Sequence, residues 1–217
     1  MKKIKTIKRG KVVVKKKTGK AKKKSHTFLN SGSNLKQRFI ADYGELRRIV
    51  GELRKNGLSI VLTQGVYDLI HEGHAAYLEN AKSYGDILIV GVDSDELTRK
   101  RKGPRRPIVP QEERLKMLVH LRHVDIVTLK EEHQSLGELI QTVRPDVMVF
   151  SQSTKDITKE MVDAYGDYCG KIVVLPPQAT TSTTARVRNL TIEGAEKLAE
   201  EINTLIKNYL DTIRNSQ

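Results

Sequence analysis

Two histidines, separated by a glutamate and a glycine, lie in the stretch TQGVYDLIHEGHAAYL, which spans residues 63–78. An apolar, β-rich run precedes them and ends at Gly65, whereas the residues after them repeat at helical spacing. His71 and His74 are therefore predicted to lie where a strand gives way to a helix. Backbone N–H groups at a helix start are unpaired and the helix dipole is positive there, so such a position attracts anions. The pattern predicts phosphate binding.

Other site chemistries fit these residues less well. The chain has no GxxxxGK[ST] loop, and no GxGxxG follows the first strand. HEGH is not HExxH, and only Cys169 is available to help complete a zinc site, so metal ligation and a purely structural role are the weaker alternatives. Asp68 has two interpretations, as the cap of the following helix or as the orienting partner of a histidine, and we favour the second. Gly73 would let the backbone and a bound ligand approach closely.

The elements that must position this motif alternate between strands and helices. The strand segments are apolar nearly throughout, as expected of strands buried on both faces. Single helices between strands indicate right-handed crossovers and a parallel, doubly wound Rossmann-like α/β sheet. Ligands of such folds bind beyond the carboxyl ends of the strands, which is where the histidine motif lies. The predicted strands are 58–64, 86–92, 124–129, 146–150 and 171–175, and the predicted helices lie within 42–57 and near 73–84, 110–122, 135–143, 157–168 and 191–214.

The net charge of +13 is concentrated in one segment of the chain. Residues 1–38 contain 15 Lys or Arg and no Asp or Glu, while the remaining residues hold 24 basic and 26 acidic side chains. A segment so charged and poor in large apolar groups is expected to be a largely disordered tail. It could bind nucleic acid or another polyanion through counterion release. It could equally be a solubilising tail without a specific partner, and its excess of Lys over Arg disfavours a transit peptide.

The same composition suggests a cellular setting. With one cysteine the chain can form no internal disulfide, and no apolar run approaches the roughly 18–20 residues that cross a bilayer. The amino terminus lacks the apolar core of a secretory signal. We therefore expect no membrane span and a cytoplasmic location.

Three stretches together resemble one enzyme family. GVYDLIHEGH is similar to the HxGH motif of the nucleotidyltransferases that include cytidylyltransferases and sugar-phosphate adenylyltransferases. SDELTRKRKGPRRPIVPQEERLKML (94–118) resembles that family's lysine-bearing loop and the arginine-bearing helix after it, and TSTTARVR (181–188) resembles its ISTT-type segment. The similarity covers about residues 58–190. The KG..RP segment is most like heptose-1-phosphate adenylyltransferases, and QEERLKM is like ethanolamine- and glycerol-phosphate cytidylyltransferases.

The resemblance implies transfer of AMP or CMP from a nucleoside triphosphate to a phosphorylated sugar or small alcohol, with release of pyrophosphate. It also implies Mg²⁺ as cofactor and a homodimer. Lys100 and Lys102 would fold over the triphosphate, with Arg99 and Arg101 facing solvent. The implied catalytic residues are His71, His74, Lys100, Lys102 and Arg114; the implied nucleotide-binding residues are Gly65, Val66, Tyr67, Asp68, Gly73, Ser182, Thr183 and Thr184; the implied acceptor-binding residues are Asp93 and Asp95.

Two of these assignments have alternatives in ordinary structure. Arg114 could instead form an exposed ion pair on its helix. Ser182, Thr183 and Thr184 could cap a helix start, and the same helix start could hold a phosphate.

The chain also departs from the family pattern. Phe150–Ser153 replaces a glycine- and acid-containing segment, Pro177 stands where cytidylyltransferases carry an arginine, and Gln64 stands where heptose-type enzymes usually have asparagine. These departures keep a second hypothesis open, namely a nucleotide-binding domain that has lost turnover and is anchored by its tail. The predicted organisation is a tail at 1–38, a nucleotidyltransferase domain at 39–190 with an amino-terminal helix, and a carboxy-terminal helix at 191–217 that packs on the domain.

Overall fold

The computed structural model describes residues 35–135, 137–152, 165–179 and 183–214. Three predictions therefore lie outside the described residues: most of the tail, most of the helix expected at 157–168, and Ser182. The helices are α1 (Leu35–Arg38), α2 (Tyr43–Lys55), α3 (Glu72–Lys82), α4 (Asp95–Lys102), α5 (Gln111–His120), α6 (Glu138–Val143) and α7 (Thr183–Arg214). The strands are β1 (Ile60–Gly65), β2 (Ile87–Asp93), β3 (Ile126–Lys130), β4 (Val147–Ser151) and β5 (Lys171–Leu175).

The five strands form one sheet in the order β3-β2-β1-β4-β5, and every pair is parallel. The chain builds the sheet outward from β1 through β2 to β3, and then returns to the other side of β1 to add β4 and β5. The order reverses between β1 and β4, which is the place where open α/β sheets bind ligands. The prediction of a Rossmann-like parallel sheet is confirmed, and the histidine motif follows directly from β1 at this reversal.

Alternating side chains of the strands pack into two cores, one on each face of the sheet. Ile60 and Leu62 of β1 lie in a core covered by α2 and α6. Val61, between them, lies in the opposite core, which is covered by α3 and α5. All three side chains are fully buried. Burial on both faces explains why these strands are apolar at nearly every position.

Helix α2 shows the start and stop signals that its sequence predicts. The Asp42 carboxylate accepts a hydrogen bond from the Glu45 N–H at 2.6 Å, which caps the first turn. The helix ends at Asn56, and Gly57 follows with a φ of 79°, a conformation that glycine adopts without steric cost. These two signals set the ends of α2, and its apolar residues pack on one face of the sheet.

Residues 94–103 differ from the sequence expectation, because the segment interpreted as a loop is mostly helical. The Ser94 hydroxyl accepts a hydrogen bond from the Leu97 N–H at 3.1 Å and starts α4. The four cations of the RKRK run occupy the last turn, where they oppose the negative end of the helix dipole. Gly103, with a φ of 96°, ends the helix. The dense run of cations suggested a solvated loop, but it follows a well-capped helix start.

Helix α7 is continuous through the boundary predicted at residue 190. Its described side chains are almost all exposed, from Ala185 to Arg214. The expectation that a separate carboxy-terminal helix packs on the domain is therefore not realised within a single chain. The reason is that α2, α3, α5 and α6 already cover the described sheet on both faces.

The described end of the amino-terminal segment also changes one boundary. Residues 35–38 were counted with the tail, but they form the short helix α1. The Arg38 guanidinium donates to the carbonyls of Val119 and Val124 at 3.0 Å each, so this end of the segment is attached to the domain. Among the described helices, none is both long and apolar enough to cross a membrane.

Candidate active site

The turn between β1 and α3 has an unusual backbone. Tyr67 and Leu69 have φ angles of 55° and 44°, in the left-handed region that side chains with a Cβ rarely adopt. Each such residue costs on the order of 1–3 kcal/mol and persists only where the surroundings impose it, most often at functional sites. Gly65 makes the turn possible, because a Cβ there would lie 3.2 Å from the folded-back Tyr67 ring. The ring itself is buried.

Both histidines cap the start of α3 through the same ring nitrogen. The Nδ1 of His71 accepts a hydrogen bond from the Gly73 N–H at 3.1 Å, and the Nδ1 of His74 accepts one from the His71 N–H at 3.3 Å. A neutral imidazole that accepts at Nδ1 carries its proton on Nε2. The two ring centroids are 4.1 Å apart, and the ring planes are tilted by 43°. The capping contacts therefore leave both imidazoles as Nε2–H donors at a helix start.

The electrostatic surroundings keep the imidazoles neutral. Desolvation lowers the pKa of His74 to about 4, and the positive charges of His71 and Lys102 act in the same direction. Desolvation also lowers the pKa of His71, with a further contribution from the charge of Arg186. At neutral pH both rings can thus donate a hydrogen bond to an anion without carrying charge themselves.

Gly73 is closely packed against the first histidine and the segment after β5. A Cβ at this position would lie 3.0 Å from the Cβ of Ala179 and 3.0 Å from Cε1 of the His71 ring. A larger residue would push the ring away from the position in which Nδ1 caps the helix. The absence of a side chain at Gly73 thus allows the segment after β5 to pack closely against the start of α3.

Asp68 is not the cap of the following helix, but its negative charge reaches His74 and acts to raise the pKa of that imidazole. The helix cap is His71, and the Asp68 carboxylate instead accepts hydrogen bonds from the backbone of Ile108 and Val109 and from the Arg106 guanidinium at 2.8 Å. Burial opposes ionisation of this carboxyl, but the two backbone donors and the guanidinium outweigh it and hold its pKa below the ordinary value. Asp68 ties the histidine turn to the segment after α4. The sequence could not show this, because the partners are about 40 residues away.

The two lysines predicted to act as a pair, Lys100 and Lys102, point to different sides of helix α4. Residues two apart on a helix do not share a face. Lys100 pairs with Glu132 at the surface. Lys102 lies close enough to His74 to lower the pKa of that imidazole, and desolvation of the Lys102 ammonium, with Arg101 and Arg106 nearby, lowers its own pKa. Of the two lysines, only Lys102 interacts with the histidines in the described contacts.

Arg101 does not face solvent as predicted. Its guanidinium donates to Asp93 at 2.6 Å, and about a third of the side chain is exposed. Asp93 is fully buried and also accepts from Lys130 at 3.1 Å. This carboxylate, predicted to bind the acceptor, is thus neutralised by two cations at the carboxyl ends of β2 and β3.

Arg114 is neither an exposed ion pair nor an open phosphate-binding side chain. It is 1% exposed. One of its terminal nitrogens donates to the carbonyls of Val66 and Asp93 at 2.5 and 2.9 Å, and the other donates to the Asp95 carboxylate at 2.7 Å. Nε donates to the Val109 carbonyl. Four of its five N–H groups therefore hold together the ends of β1 and β2, the start of α4 and the segment before α5.

Arg186 is a site residue that the sequence analysis did not single out. It lies in the first turn of α7, three residues after Thr183, so that its charge reaches His71. The signal was present in TSTTARVR, because residues three apart on a helix share a face. Thr183 and Thr184 are the first two residues of α7, so the predicted helix start at the ISTT-like segment is present.

The described residues near the histidines do not provide a ready-made metal site. Within the described ranges there is no group of three or more His, Cys, Asp or Glu side chains arranged to hold an ion. Asp68 and Asp93, the buried carboxylates closest in sequence to the motifs, are engaged by Arg106 and by Arg101 with Lys130. The donor set in the described part of the chain is cationic and suits phosphate groups better than a bare divalent ion.

The fold and the site define a nucleotide-binding enzyme domain of the Rossmann-like nucleotidyltransferase class. The family model for cytidylyltransferase-like proteins matches residues 62–193, which include both histidines, α4 and the start of α7. The chain belongs to the cytidylyltransferase-like family, and its domain is a nucleotidyltransferase domain.

Curated relatives and a solved structure extend this comparison. The chain is 38% identical over 149 residues to the bifunctional protein HldE of Desulfatibacillum aliphaticivorans, covering 67% of this chain and 30% of that protein. It is 42% identical over 138 residues to the bifunctional protein HldE of a Nitratiruptor species, covering 64% of this chain and 27% of that protein. The chain thus spans about 30% of the length of such curated relatives.

A more distant likeness concerns the fold alone. The crystal structure of pantoate-beta-alanine ligase from Francisella tularensis superposes with a TM-score of 0.51 at 18% identity, covering 75% of this chain and 78% of that one. Its agreement supports the parallel five-stranded arrangement and carries no information on substrate.

Proposed function

We propose that this domain transfers a nucleotidyl group, AMP in preference to CMP, from a nucleoside triphosphate to a phosphorylated sugar or small alcohol. A phosphate oxygen of the acceptor forms a bond to the α-phosphorus, and the bond from the α-phosphorus to the bridging oxygen breaks. The electron pair leaves with pyrophosphate. Because the attacking phosphate is already ionised, the reaction needs orientation and charge stabilisation more than a strong general base.

The observation that carries the proposal is that both imidazoles use Nδ1 to cap the helix start. Nδ1 of each ring is committed to a backbone N–H of the helix start, so Nε2–H remains as the donor. Two neutral donors held 4.1 Å apart between ring centroids suit neighbouring phosphoryl oxygens. Their depressed pKa values mean that they donate without needing to be protonated. In this proposal His71 and His74 stabilise the charge that develops on the transferred phosphoryl group.

The cations around the histidines have different proposed roles. Lys102 and Arg186, whose charges reach the two imidazoles, neutralise the triphosphate and the leaving pyrophosphate. Lys100, paired with Glu132 at the surface, contributes little. Arg114 is a positioning residue, because its hydrogen bonds fix the strand ends from which Val66 and Asp93 extend. We propose that Gly65, Tyr67, Thr183 and Thr184 shape the nucleotide site around these groups.

The proposals for the acceptor and the metal rest mainly on the family resemblance. A phosphorylated sugar is favoured by the resemblance of the KG..RP segment. We propose that the acceptor binds near the carboxyl end of β2, where Asp93 and Asp95 position the surrounding cations. Mg²⁺ would neutralise charge on the triphosphate when bound. Because the described carboxylates are already paired, it would be held chiefly by the nucleotide, and no step of the proposed reaction is routed through it.

The experiment that tests the proposal is pyrophosphate release over a matrix of nucleoside triphosphates and phosphorylated acceptors. We expect release only when both a triphosphate and an acceptor are present, with ATP giving the highest rate. A preference for CTP with glycerol phosphate or phosphoethanolamine would favour the cytidylyltransferase alternative. Binding of nucleotide without turnover for any pair would support the alternative of a nucleotide-binding domain and contradict the proposal.

A further inference from the structure

The outer face of α7 exposes an apolar stripe that the domain does not use. Within the described chain, seven large apolar side chains of this helix are between 44% and 68% exposed, and the six from Ile192 onward form the stripe. They are Ile192, Leu198, Ile202, Leu205, Ile206 and Tyr209, and together they are called the α7 stripe. A monomeric protein seldom leaves a contiguous apolar patch of this size in water.

The stripe has the spacing of a helix-pairing seam. Leu198, Ile202, Leu205 and Tyr209 are separated by steps of four, three and four residues, which is the a/d pattern of a heptad repeat. The opposite side of the helix is charged at the same period, with Glu193, Glu200 and Lys207 seven residues apart. Between Ile192 and Tyr209 the exposed large apolar residues therefore lie along one side of the helix, which is the pattern of a helix that packs against another helix.

The area of the stripe matches what one partner contributes to a stable complex. Six side chains of this size with about half of each exposed present roughly 600–700 Å² of apolar surface, close to the roughly 800 Å² per partner of a standard interface. The stripe is about five turns long, so its occupant must be an apolar helix face of similar length. The described part of this chain has a matching face of that length in α7 itself.

The four residues of the heptad seam can pair with the same four residues of a second, antiparallel copy of the helix. If two copies of α7 run antiparallel with a two-fold axis between Asn203 and Thr204, Leu198 of one copy faces Tyr209 of the other. Ile202 then faces Leu205, and the remaining two layers repeat these pairs by symmetry. Such an isologous arrangement leaves no member of the a/d seam without a partner.

The charges along α7 favour the antiparallel direction. Residues 193–201 hold four Glu and one Lys, whereas residues 207–214 hold Lys207, Arg214 and one Asp. A parallel pair would bring the two acidic halves together. The antiparallel pair brings each acidic half beside the basic half of the other copy.

We propose that the α7 stripe is the contact surface for a second copy of this chain, in an antiparallel helix pair centred between Asn203 and Thr204. The first turn of the same helix carries Arg186, whose charge reaches His71, so pairing anchors a helix that also borders the candidate active site. The starts of the two α7 helices would be about 60 Å apart at 1.5 Å per residue. Each candidate site is therefore built from its own chain, and the inference is independent of the reaction proposed above.

The first test measures the mass of the full-length protein in solution. Sedimentation velocity on nucleic-acid-free protein at moderately high salt should give a dimer for the wild type and a monomer for Ile202→Glu. The matched control Asn203→Glu adds the same charge one residue away, outside the seam, and should remain dimeric. Circular dichroism checks that both variants keep their helix content. A monomeric wild type, as expected if the residues before 35 or an unrelated protein cover the stripe, would overturn the proposal, as would equal behaviour of the two variants.

The second test measures the direction of pairing. Spin labels are placed on the charged side of α7, at Glu193→Cys or at Lys207→Cys, in a Cys169→Ser background. In the antiparallel pair the two labels at 207 are offset along the axis by about 10 Å and those at 193 by about 32 Å, from the 1.5 Å rise per residue. Distances between labels should therefore be clearly longer for 193 than for 207. Equal distances at the two positions would mean a parallel pair and would contradict the proposed register.

Discussion

The histidine turn and the basic segment after β2 use their polar groups in opposite ways. In the turn, His71 and His74 satisfy the backbone of their own helix start through Nδ1, and the donor on Nε2 is left for a ligand. In the basic segment, three of the cations form ion pairs with carboxylates elsewhere in the domain. Lys100 pairs with Glu132, Arg101 with Asp93 and Arg106 with Asp68. Similar density of polar residues therefore produces a candidate ligand site in one region and a scaffold in the other.

The difference shows that a row of cations near a phosphate motif is not a row of phosphate ligands. A buried carboxylate must be paired with a cation or with hydrogen-bond donors, because an isolated buried charge is costly. Asp68 and Asp93 meet this requirement by pairing with Arg106 and Arg101, both from the segment after β2. What remains for a triphosphate is a smaller set, in which Lys102 and Arg186 are the cations whose charges reach the histidines.

The largest effect on stability is expected from Arg114, the most buried cation of the scaffold. Arg114→Met would leave the Asp95 carboxylate and the carbonyls of Val66 and Asp93 without their donor. Removing one partner of a buried ion pair costs about 3–5 kcal/mol. Denaturant unfolding should show a loss of this size, while the exposed control Arg122→Met should lie within about 0.5 kcal/mol of the wild type. Equal stability of the two variants would mean that Arg114 is not a structural clamp.

The acid sensitivity of the fold should depend on the histidine turn. An unfolded histidine takes up a proton near pH 6.5, but folded His74 does so only near pH 4. As pH falls from about 6.5 to about 4, the unfolded chain binds the extra proton and the free energy of unfolding decreases. With partial solvent exposure taken into account, wild type should lose about 1–2 kcal/mol more than His74→Gln between pH 7 and pH 5.

The comparison of the two proteins at pH 7 and pH 5 by denaturant unfolding isolates this contribution. Asp68, whose pKa is lowered, loses its stabilising charge only below its ordinary pKa of 3.8 and does not act in this pH range. Parallel decreases in wild type and His74→Gln would show that the imidazole is not held neutral by the fold.

A smaller effect separates the two lysines of α4. Lys102→Ala should raise the KM for the nucleoside triphosphate about threefold to tenfold, an effect of up to about 1.4 kcal/mol. Lys100→Ala removes an exposed pair with Glu132 and should change KM less than twofold, since exposed pairs contribute little. Steady-state kinetics of pyrophosphate release measures both. Similar KM values for the two variants would mean that α4 acts only through its summed charge.

Local patterns predicted the elements because their causes are local. The five strands follow from apolar runs and lie within about two residues of their predicted bounds. α2 follows from its apolar spacing and the Asn56-Gly57 stop, and α3 from the spacing after His74. The position of the histidines at a helix start beyond β1 was likewise readable, because a strand-to-helix junction is a feature of a short segment.

The use of individual side chains could not be predicted, because it depends on contacts between distant segments. Arg114 lies 48 residues from Val66, whose carbonyl it binds, and Asp68 lies 38 residues from Arg106. Lys100 lies at the surface and Arg101 pairs with the buried Asp93, because the segment is helical and successive residues point to different sides of the helix. Pairing over such separations has no signature in one sequence.

The measurement that tests the central claim most directly is the turnover of His74→Ala in pyrophosphate release with saturating triphosphate and acceptor. If the two imidazoles donate to the transferred phosphoryl group, the rate should fall by roughly 10²–10³, the loss typical of one preorganised donor. His120→Ala, an exposed histidine at the end of α5, serves as the matched control and should retain the wild-type rate. Turnover of a folded His74→Ala within a few fold of the wild type would contradict the account.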